Sequence, residues 1–379
     1  MSSDLQFKGY AIHDTKKFTE FEVIDFQHEE RFRSSLVVNN TNLMSTPSTS
    51  TRPKTFGDYD IEIKINCCGI CSSDVHTITG GWGEPILPMI TGHEVAGVVT
   101  RVGSKHSGEF KVGDRAGVGA QVCSCFECDP CKTDNENYCV KGGVDTYNAK
   151  YENGEIAHGG YSTGIRVHER FVFKLPDALS DEDAAPMLCG GLTVFAPLKN
   201  HGVKEGSKVA IVGIGGLGHF AVQFAKALGA EVTAFSHQAD KEKDARAMGA
   251  SDFVLTSKKD FAKDYAQKFD LVLSTVDDAA GLPIAELISM LRLFGVFHSV
   301  GLPDKPVPEL KFQELAGNGA SIAVSHIGSK KQANEMLALA AEKGVKTWKE
   351  ILPMKDAGKG VQGVKDNKVR YRYVLKVDI

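Results

Sequence analysis

The segment 208–229 constrains the fold more than any other part of the chain. It begins with a short apolar run, KVAIV, continues through the glycine-rich sequence GIGGLG, and ends at Gly229. A buried strand that turns through glycines into an amphipathic helix is the opening unit of a parallel sheet. The apolar residues that recur at helical spacing here are Leu217, Phe220, Ala221, Phe224, Ala225 and Leu228.

Strand-like and helix-like segments alternate after this unit. The strand-like segments are EVTAF, FVLT, FDLVLST and VFHSVG, and the helix-like ones are KEKDARAMGA, residues 260–268 and residues 284–295. Such alternation is typical of βαβ units. We therefore predict an α/β fold class, with a doubly wound parallel sheet of the Rossmann type in this part of the chain.

The glycine loop predicts a dinucleotide site. Gly213, Gly215 and Gly218 form G-x-G-x-x-G, with Gly216 and Leu217 between them. Glycines allow the backbone to approach a pyrophosphate, and the helix N-terminus that follows favours negative charge.

The end of the next strand indicates which dinucleotide binds. An NAD site usually has Asp or Glu there, bonded to the ribose 2′-hydroxyl. This chain has Ser236 and His237, followed by Lys241 and Lys243. Hydroxyl and cationic groups accept a 2′-phosphate that a carboxylate would repel, so we predict NADP(H). Asp240 leaves NAD open as an alternative cofactor, since a shifted loop would bring this carboxylate to the ribose.

The first half of the chain has a different residue composition and pattern. Residues 59–175 are rich in Gly, Val and short strand-like runs such as DYDIEIKINCCG, which predicts a mainly β domain. Within it, residues 123–139 contain five of the nine cysteines. The first 20 residues contain no apolar run of signal-peptide length, so we expect a cytoplasmic protein whose clustered thiols bind metal.

The cysteine cluster has the spacing of a structural metal site. Cys125, Cys128, Cys131 and Cys139 give C-x2-C-x2-C-x7-C, a set of four thiolates that can close a tetrahedral zinc site. Such a site has no open coordination position, so it stabilises structure and does not catalyse. Cys123 falls outside the spacing, and we expect it to remain unligated.

Other groups of metal-ligand type are scattered along the chain. Cys71, Ser73, Asp74 and His76 lie in CGICSSDVH, His93 and Glu94 in TGHEVAG, and Cys189 in PMLCGGLTV. Two cysteines and a histidine are an accepted ligand set for a catalytic zinc. Composition alone does not bring these segments together.

The chain resembles the zinc-dependent medium-chain alcohol dehydrogenases, and within them the NADP(H)-dependent, cinnamyl-alcohol-dehydrogenase-like members, including the fungal broad-specificity type. The resemblance covers residues 55–375. The matching motifs are CGICSSDVH, GHEVAGVV, KVGDRAGVGAQVCSCFECDPC, NENYC, APMLCGGLTV, VGIGGLGH and VRYRY.

The resemblance implies a role for each scattered residue. Cys71, His93 and Cys189 would bind the catalytic zinc, and Glu94 would help to exchange its fourth ligand. Ser73 and His76 would relay a proton, which suits a hydroxyl followed by an imidazole. Asp74 would orient a ligand imidazole, and Thr193 would contact the nicotinamide. Trp82 would line the substrate pocket, although a packing role is an equal alternative.

The resemblance also implies the domain organisation. We expect a GroES-like catalytic domain at residues 1–185, with its structural-zinc lobe at 123–139, an NADP(H)-binding Rossmann domain at 186–323, and a return to the catalytic domain at 324–379. Residues 28–52 are expected to be an inserted loop. Two zinc ions per chain and a homodimer are implied as well.

The predicted function is reversible hydride transfer between NADP(H) and a primary alcohol/aldehyde pair, mainly as an aldehyde reductase. The alternatives are an NAD-dependent polyol or formaldehyde dehydrogenase, a zinc-free quinone reductase of the same fold, a zinc-ribbon binding module and a redox C-x-x-C at Cys68–Cys71. The ribbon is disfavoured because the cysteine segment is acidic. A net charge of -4 and the lack of long apolar runs predict neither nucleic-acid nor membrane partners.

Overall fold

The computed structural model describes residues 5–26, 53–278, 282–307 and 309–379. Contacts divide the chain into two compact units, one of residues 1–189, 329–334 and 349–379, and the other of residues 190–328 and 335–348. The expected inserted loop at 28–52 lies outside the described residues. Among those residues, every helix is too short or too polar to cross a bilayer.

The first unit is mainly β, as predicted. Its largest sheet has the order β10-β6-β5-β3-β18-β17, with β9 also paired to β3. A three-stranded sheet has the order β2-β1-β4, and β7 pairs with β8. The strands are β1 (Lys8–Ile12), β2 (Glu22–Asp25), β3 (Asp60–Ile70), β4 (Met89–Ile90), β5 (Val95–Val102), β6 (Arg115–Val118), β7 (Gln121–Cys123), β8 (Val144–Asp145), β9 (Gly164–His168), β10 (Val172–Lys174), β17 (Lys349–Pro353) and β18 (Arg372–Lys376).

Strand β3 is the centre of this unit. It pairs antiparallel with β5, β9 and β18, so most of its side chains are covered. Ile61, Ile63 and Ile65 are almost fully buried. Because β-branched residues pack well on a pleated surface, the sequence IEIKI makes a stable central strand.

The helices of the first unit are short and flank its sheets. They are α1 (Ser72–Ile78), α2 (Asp129–Lys132), α3 (Asp181–Pro186) and α10 (Ala357–Lys365). A single π-helical turn, Met187–Gly191, follows α3. Such turns are rare and occur often at functional sites.

The second unit contains the predicted parallel sheet. Its strand order, β13-β12-β11-β14-β15-β16, with every neighbouring pair parallel, is that of a doubly wound dinucleotide-binding fold. The fold class predicted from the sequence is therefore confirmed. The strands are β11 (Lys208–Val212), β12 (Glu231–Ser236), β13 (Asp252–Leu255), β14 (Phe269–Ser274), β15 (Leu291–Ser299) and β16 (Ser321–Val324).

The helices of the second unit precede, connect or follow these strands. They are α4 (Leu192–Asn200), α5 (Gly218–Ala227), α6 (Glu242–Ala247), α7 (Ile284–Ser289) and α8 (Phe312–Leu315); α9 (Lys330–Lys343) has its first residues in the first unit and the rest in the second. The core under the sheet includes Phe235, Phe269 and Leu287.

Two helix predictions were wrong. Residues 260–268 form only a 3-10 turn at Lys263–Tyr265, because Asp260 and Gln267 take positive φ angles that interrupt a helix. Helix α7 stops at Ser289, and the second half of the predicted helix 284–295 forms strand β15. Pairing of this stretch with β14 outweighs its helical periodicity, because a tertiary contact overrides local propensity.

Candidate functional site

Four buried side chains form a compact group in the first unit. The group comprises Cys71, His93, Glu94 and Cys189, and one potential ligand atom from each lies within 4.8 Å of all the others. Sγ of Cys71 is 3.9 Å from Sγ of Cys189, and Nε2 of His93 is 3.1 Å from the latter sulfur. The structure therefore brings together ligands that are up to 118 residues apart in the chain.

Each member lies in or next to a regular element. Cys71 follows β3 and is the N-cap residue of α1. His93 and Glu94 directly precede β5, which pairs with β3. Cys189 is in the middle of the π-helical turn. Strand ends, a helix start and the π-helical turn thus position all four side chains.

Asp74 fixes the orientation of His93. Its fully buried carboxylate accepts hydrogen bonds from the backbone N–H of Cys71 (2.9 Å) and of Gly92 (3.2 Å), and from the hydroxyl of Tyr161 (3.2 Å). Its Oδ1 lies 3.3 Å from Nδ1 of His93. With Nδ1 held by a carboxylate, Nε2 is left to face the two sulfurs, which is the arrangement found behind metal-binding histidines.

Glu94 is held by a residue from the other end of the chain. Its Oε1 accepts a hydrogen bond from Nη2 of Arg372, and both side chains are buried. Its Oε2 is buried without a hydrogen-bond partner. Gly69 makes room for the carboxylate, since a Cβ there would lie 2.0 Å from Oε2. An orphaned buried carboxylate oxygen beside two thiols is consistent with a site that binds a cation.

The electrostatics of the group also favour a cation. A hydrogen bond from Cys189, assisted by His93 and Arg372, holds the pKa of Cys71 well below its usual value despite burial. Burial lowers the pKa of His93. Asp74 and Cys71 raise the same pKa by more than burial lowers it, so the net shift is upward. The pocket therefore stabilises a thiolate and attracts positive charge, and the thiolate is the form of cysteine that binds metals.

These donors fit a catalytic zinc ion. Two cysteines and one histidine are an accepted set, and a tetrahedral zinc with bonds of about 2.3 Å separates two sulfurs by about 3.8 Å. The observed sulfur separation of 3.9 Å is close to that value. Because the fourth member, Glu94, is held by Arg372, the two cysteines and the histidine leave a coordination position for substrate. The group therefore has the composition of a catalytic site and not of a closed structural one.

The residues predicted for proton relay lie on α1, next to this group. Oγ of Ser73 is 3.5 Å from Sγ of Cys71. His76 follows one turn later, and its imidazole stacks on the indole of Trp82. Thr193, predicted to contact the nicotinamide, is buried in α4 of the second unit.

A second group of four ligand atoms is formed by the cysteine cluster. Cys125, Cys128, Cys131 and Cys139 lie within the same 4.8 Å limit, with two sulfur pairs at 3.9 Å. The backbone N–H of Glu127 lowers the pKa of Cys125 to about 6, whereas burial raises that of Cys131 to about 12. Four thiols at tetrahedral separations fit a structural zinc. Cys123, at the end of β7, is not part of the group.

The cysteine lobe packs on the rest of the first unit through Phe126. Its ring stacks on His168 with centroids 4.0 Å apart, and the guanidinium of Arg170 lies 5.1 Å from its centroid. Nη2 of Arg170 also donates to the carbonyl of Cys131 at 2.6 Å. The metal-binding loop is thereby joined to the strand and turn that carry His168 and Arg170.

The glycine loop of the second unit has the geometry that a pyrophosphate needs. Gly213 has a φ of +89°, and a Cβ on Gly218 would lie 1.9 Å from the carbonyl oxygen of Gly213. A Cβ on Gly215 would meet nothing within 4 Å, so this backbone faces open space. Helix α5 begins at Gly218, and its N-terminus can accept negative charge. Gly216 and Leu217 complete the turn.

The residues predicted to recognise the 2′-phosphate lie at the end of β12. Ser236 is its last residue, and its Oγ accepts a hydrogen bond from the backbone N–H of Gln238 at 3.1 Å. His237 and Lys243 are exposed, and Lys241 is half-buried. Asp240, which left NAD open as an alternative, is also exposed.

Sequence reasoning gave no role to Arg372, Tyr161 or Gly69. Arg372 lies in the motif VRYRY, and a charged residue within a strand-like apolar stretch was the available signal. Tyr161 and Gly69 gave no such signal, because their contribution depends on what packs against them.

Two family models match the chain. The model described as alcohol dehydrogenase GroES-like domain matches residues 57–177, and the one described as zinc-binding dehydrogenase matches residues 216–342.

Individual proteins match over most of their length. NADP-dependent alcohol dehydrogenase 6 of Saccharomyces cerevisiae is 38% identical over 351 residues, 92% of this chain and 97% of that one. The "Probable formaldehyde dehydrogenase AdhA" of Bacillus subtilis is 43% identical, over 84% of this chain and 90% of its own. A crystal structure described as CAD from Helicobacter pylori complexed with NADP(H) superimposes with a TM-score of 0.84 at 32% identity, covering 98% of both chains.

Proposed function

Since the chain belongs to the zinc-dependent medium-chain alcohol dehydrogenases, in their NADP(H)-dependent, cinnamyl-alcohol-dehydrogenase-like subgroup, we propose that it interconverts aldehydes and primary alcohols by hydride transfer with NADP(H). The observation that carries the proposal is the buried group of Cys71, His93 and Cys189, with Asp74 behind the histidine. A dinucleotide fold without that group would support redox chemistry in general. Together with the dinucleotide fold, the group supports a zinc-dependent alcohol dehydrogenase.

The residues of the first unit would hold the metal and move the proton. Cys71, His93 and Cys189 are the ligands, and Asp74 keeps Nε2 of His93 directed at the metal position. A zinc ion there supplies Lewis acidity that polarises the substrate carbonyl. In the reduction direction the substrate oxygen gains a proton. Oγ of Ser73 is the donor, and the imidazole of His76 restores the proton to the hydroxyl.

The residues of the second unit would hold the cofactor. The loop of Gly213, Gly215, Gly216, Leu217 and Gly218 accommodates the pyrophosphate. Ser236, His237 and Lys241 would bind the 2′-phosphate, with Lys243 as a further cation, and Thr193 would contact the nicotinamide. NADPH supplies the hydride in the reduction direction.

The substrate class is an aliphatic or aromatic aldehyde, including cinnamaldehyde-like compounds. Relatives whose printed names include alcohol, cinnamyl alcohol and formaldehyde dehydrogenases support this range. The second candidate is a formaldehyde dehydrogenase that uses NAD, favoured by the 43% identity to the Bacillus protein and by the exposed carboxylate of Asp240, four residues after the end of β12. Cofactor preference separates the two.

The edge of the parallel sheet supports the proposal of a homodimer. In the part of the chain that the structure describes, β16 lies at the end of the strand order, with Ile322 46% and Val324 63% exposed. An exposed apolar edge strand offers unpaired backbone groups to another chain, and stable proteins normally cover such an edge. A second copy placed edge to edge would cover this one, and Val324→Asp would then yield monomers in sedimentation. A native protein that sediments as a monomer would overturn the proposal.

We place the protein in the cytoplasm. All nine cysteines are free thiols, and eight belong to the two metal-ligand groups or to the buried sites at Cys67 and Cys68. Reduced thiols that serve as metal ligands are typical of a reducing compartment.

The function is tested with a panel of aldehydes, assayed with NADPH and with NADH, on the native protein and on Cys71→Ala. We expect reduction with NADPH by the native protein and none by the variant. Cys67→Ala is the matched control, because this buried thiol lies on β3 outside the ligand group. Full activity of Cys71→Ala would overturn the catalytic-zinc assignment.

A further inference from the structure

The imidazole of His76 and the indole of Trp82 form a parallel stack. Their ring centroids are 4.9 Å apart, and the planes differ by 6°. A stack of two nearly parallel rings is a specific arrangement, since it requires both side chains to hold one rotamer. His76 is on α1, and Trp82 follows six residues later in the turn that leaves this helix.

The backbone after α1 is folded so that it returns Trp82 to His76. The N–H of Gly81 donates to the carbonyl of His76 at 2.8 Å, and the N–H of Gly80 donates to that of Thr77 at 3.1 Å. Gly80 has a φ of +76°, the left-handed region that glycine adopts readily. The stack therefore results from a hydrogen-bonded turn, and not from two neighbouring side chains that happen to touch.

The exposure of Trp82 argues against a packing role. The residue is 47% exposed, although an indole that fills a core would be almost fully buried. His76, in contrast, is half-buried. The indole covers one face of the imidazole while much of its own surface remains in solvent, so the contact does more for the orientation of His76 than for burial of apolar area.

Stacking leaves the chemistry of the imidazole intact. Both ring nitrogens lie in the plane of the ring, and an indole stacked on the face does not contact them along their hydrogen-bonding directions. A proton relay needs a donor and an acceptor at fixed positions, because proton transfer depends on hydrogen-bond geometry. The indole of Trp82, stacked on the face of the imidazole, can supply that restraint.

We propose that Trp82 is a positioning residue for proton relay: by stacking on His76 it holds the imidazole in the orientation that returns a proton to Ser73. The inference rests on the proposed function, in which Ser73 and His76 form the relay. It gives Trp82 a role different from that of a wall of the substrate pocket. A pocket wall would act on substrate binding, whereas a positioning residue acts on turnover through His76.

The test is a double-mutant cycle on the zinc-loaded enzyme with acetaldehyde, a substrate too small to depend on a distant pocket wall. The variants are Trp82→Ala, Trp82→Phe, His76→Ala and the Trp82→Ala/His76→Ala pair. We expect His76→Ala and Trp82→Ala each to lower kcat by about 10-fold or more, with KM little changed. Trp82→Phe should retain most of kcat, because a phenyl ring can also stack. The double variant should be no slower than His76→Ala alone.

Tryptophan fluorescence provides a readout apart from activity. The chain has two tryptophans, so Trp348→Phe leaves Trp82 as the only indole. In that background, His76→Ala should change the emission intensity of Trp82 in the folded protein.

Two results would overturn the inference. One is a double variant whose loss of kcat is the product of the two single losses. The other is a Trp82→Ala effect confined to KM. Absence of aldehyde reduction by the native protein would instead count against the proposed function itself.

Discussion

Sγ of Cys71 and Sγ of Cys189 lie 3.9 Å apart, although 118 residues separate them in the chain. One sulfur is at the end of strand β3 and the other is in a π-helical turn. Together with Nε2 of His93, which is 3.1 Å from the second sulfur, these two buried thiols can occupy three of the four corners of a tetrahedron around a common centre. The pair is the geometric basis of the proposed catalytic site.

Replacing Cys189 should remove one zinc ion of two. With Cys189→Ala, we expect the zinc content measured by elemental analysis to fall from two to one per chain. NADPH-dependent aldehyde reduction should fall by at least about 100-fold, because residues that only support ligands already contribute about 10- to 100-fold. Cys67→Ala should retain both ions. A Cys189→Ala protein that keeps two zinc ions would show that this sulfur is not a ligand.

Replacing Cys128 should affect stability before catalysis. We expect Cys128→Ala to lose one zinc ion and to melt at a markedly lower temperature, because metal binding to four thiolates contributes folding free energy. At a temperature where the variant is still folded, kcat should remain within several-fold of the native value. Cys123→Ala is the matched control, since its sulfur lies outside the ligand group. An unchanged melting temperature in Cys128→Ala would contradict a structural role.

Removing Arg372 should destabilise the first unit. Arg372→Leu would leave the Glu94 carboxylate buried without its partner, and breaking a buried ion pair costs about 3–5 kcal/mol. We expect a corresponding loss in the free energy of unfolding, measured with urea. The Arg372→Leu/Glu94→Gln double variant should recover part of it, because the unpaired charge is gone. A loss below about 0.5 kcal/mol for Arg372→Leu would mean that Glu94 has another stabilising partner.

A carboxylate at the end of β12 should change cofactor preference. Ser236→Asp can still accept the hydrogen bond from the N–H of Gln238, so the turn should survive. The new charge should repel the 2′-phosphate, and we expect KM for NADPH to rise at least about 10-fold while KM for NADH rises less. Ser236→Asn, similar in size but uncharged, separates charge from volume. Equal effects of Asp and Asn would remove Ser236 from phosphate recognition.

The stability of the second unit should depend on pH through His298. Burial, with a smaller contribution from His201, lowers the pKa of His298 from 6.5 to about 4. Between these values the unfolded chain binds a proton that the folded chain does not, so the free energy of unfolding decreases as pH falls from about 6.5 to about 4. The loss at the acid end should stay below the roughly 3 kcal/mol that this shift would give in a fully buried site, because solvent screens part of it.

The measurement is the melting temperature as a function of pH for the native protein and for His298→Asn. The variant should lose less stability on acidification, because its side chain does not titrate. The exposed His13→Gln substitution is the control and should follow the native curve. Parallel curves for His298→Asn and the native protein would show that this imidazole is not a source of the acid sensitivity.

Much of the fold and of the candidate site can be predicted from short segments of the sequence. The glycine loop, the alternation of strands and helices and the thiol spacing 125–139 could be interpreted directly, because each depends on residues close together in the chain. Periodicity failed at residues 284–295, where one apolar pattern fits both a helix and a buried strand. Only pairing of Leu291–Ser299 with β14 selects the strand.

The sequence by itself determined the fold class, the dinucleotide loop, the four-thiol cluster and the types of the scattered metal ligands, because those are local patterns of residue chemistry. The tertiary structure alone decided which distant residues meet. Antiparallel pairing of Ile70 with Tyr373 brings Arg372 beside the end of β3, where it meets Glu94. The turn after α1 likewise sets Trp82 on His76. Such contacts follow from strand register and backbone hydrogen bonds, which no local pattern of side chains specifies.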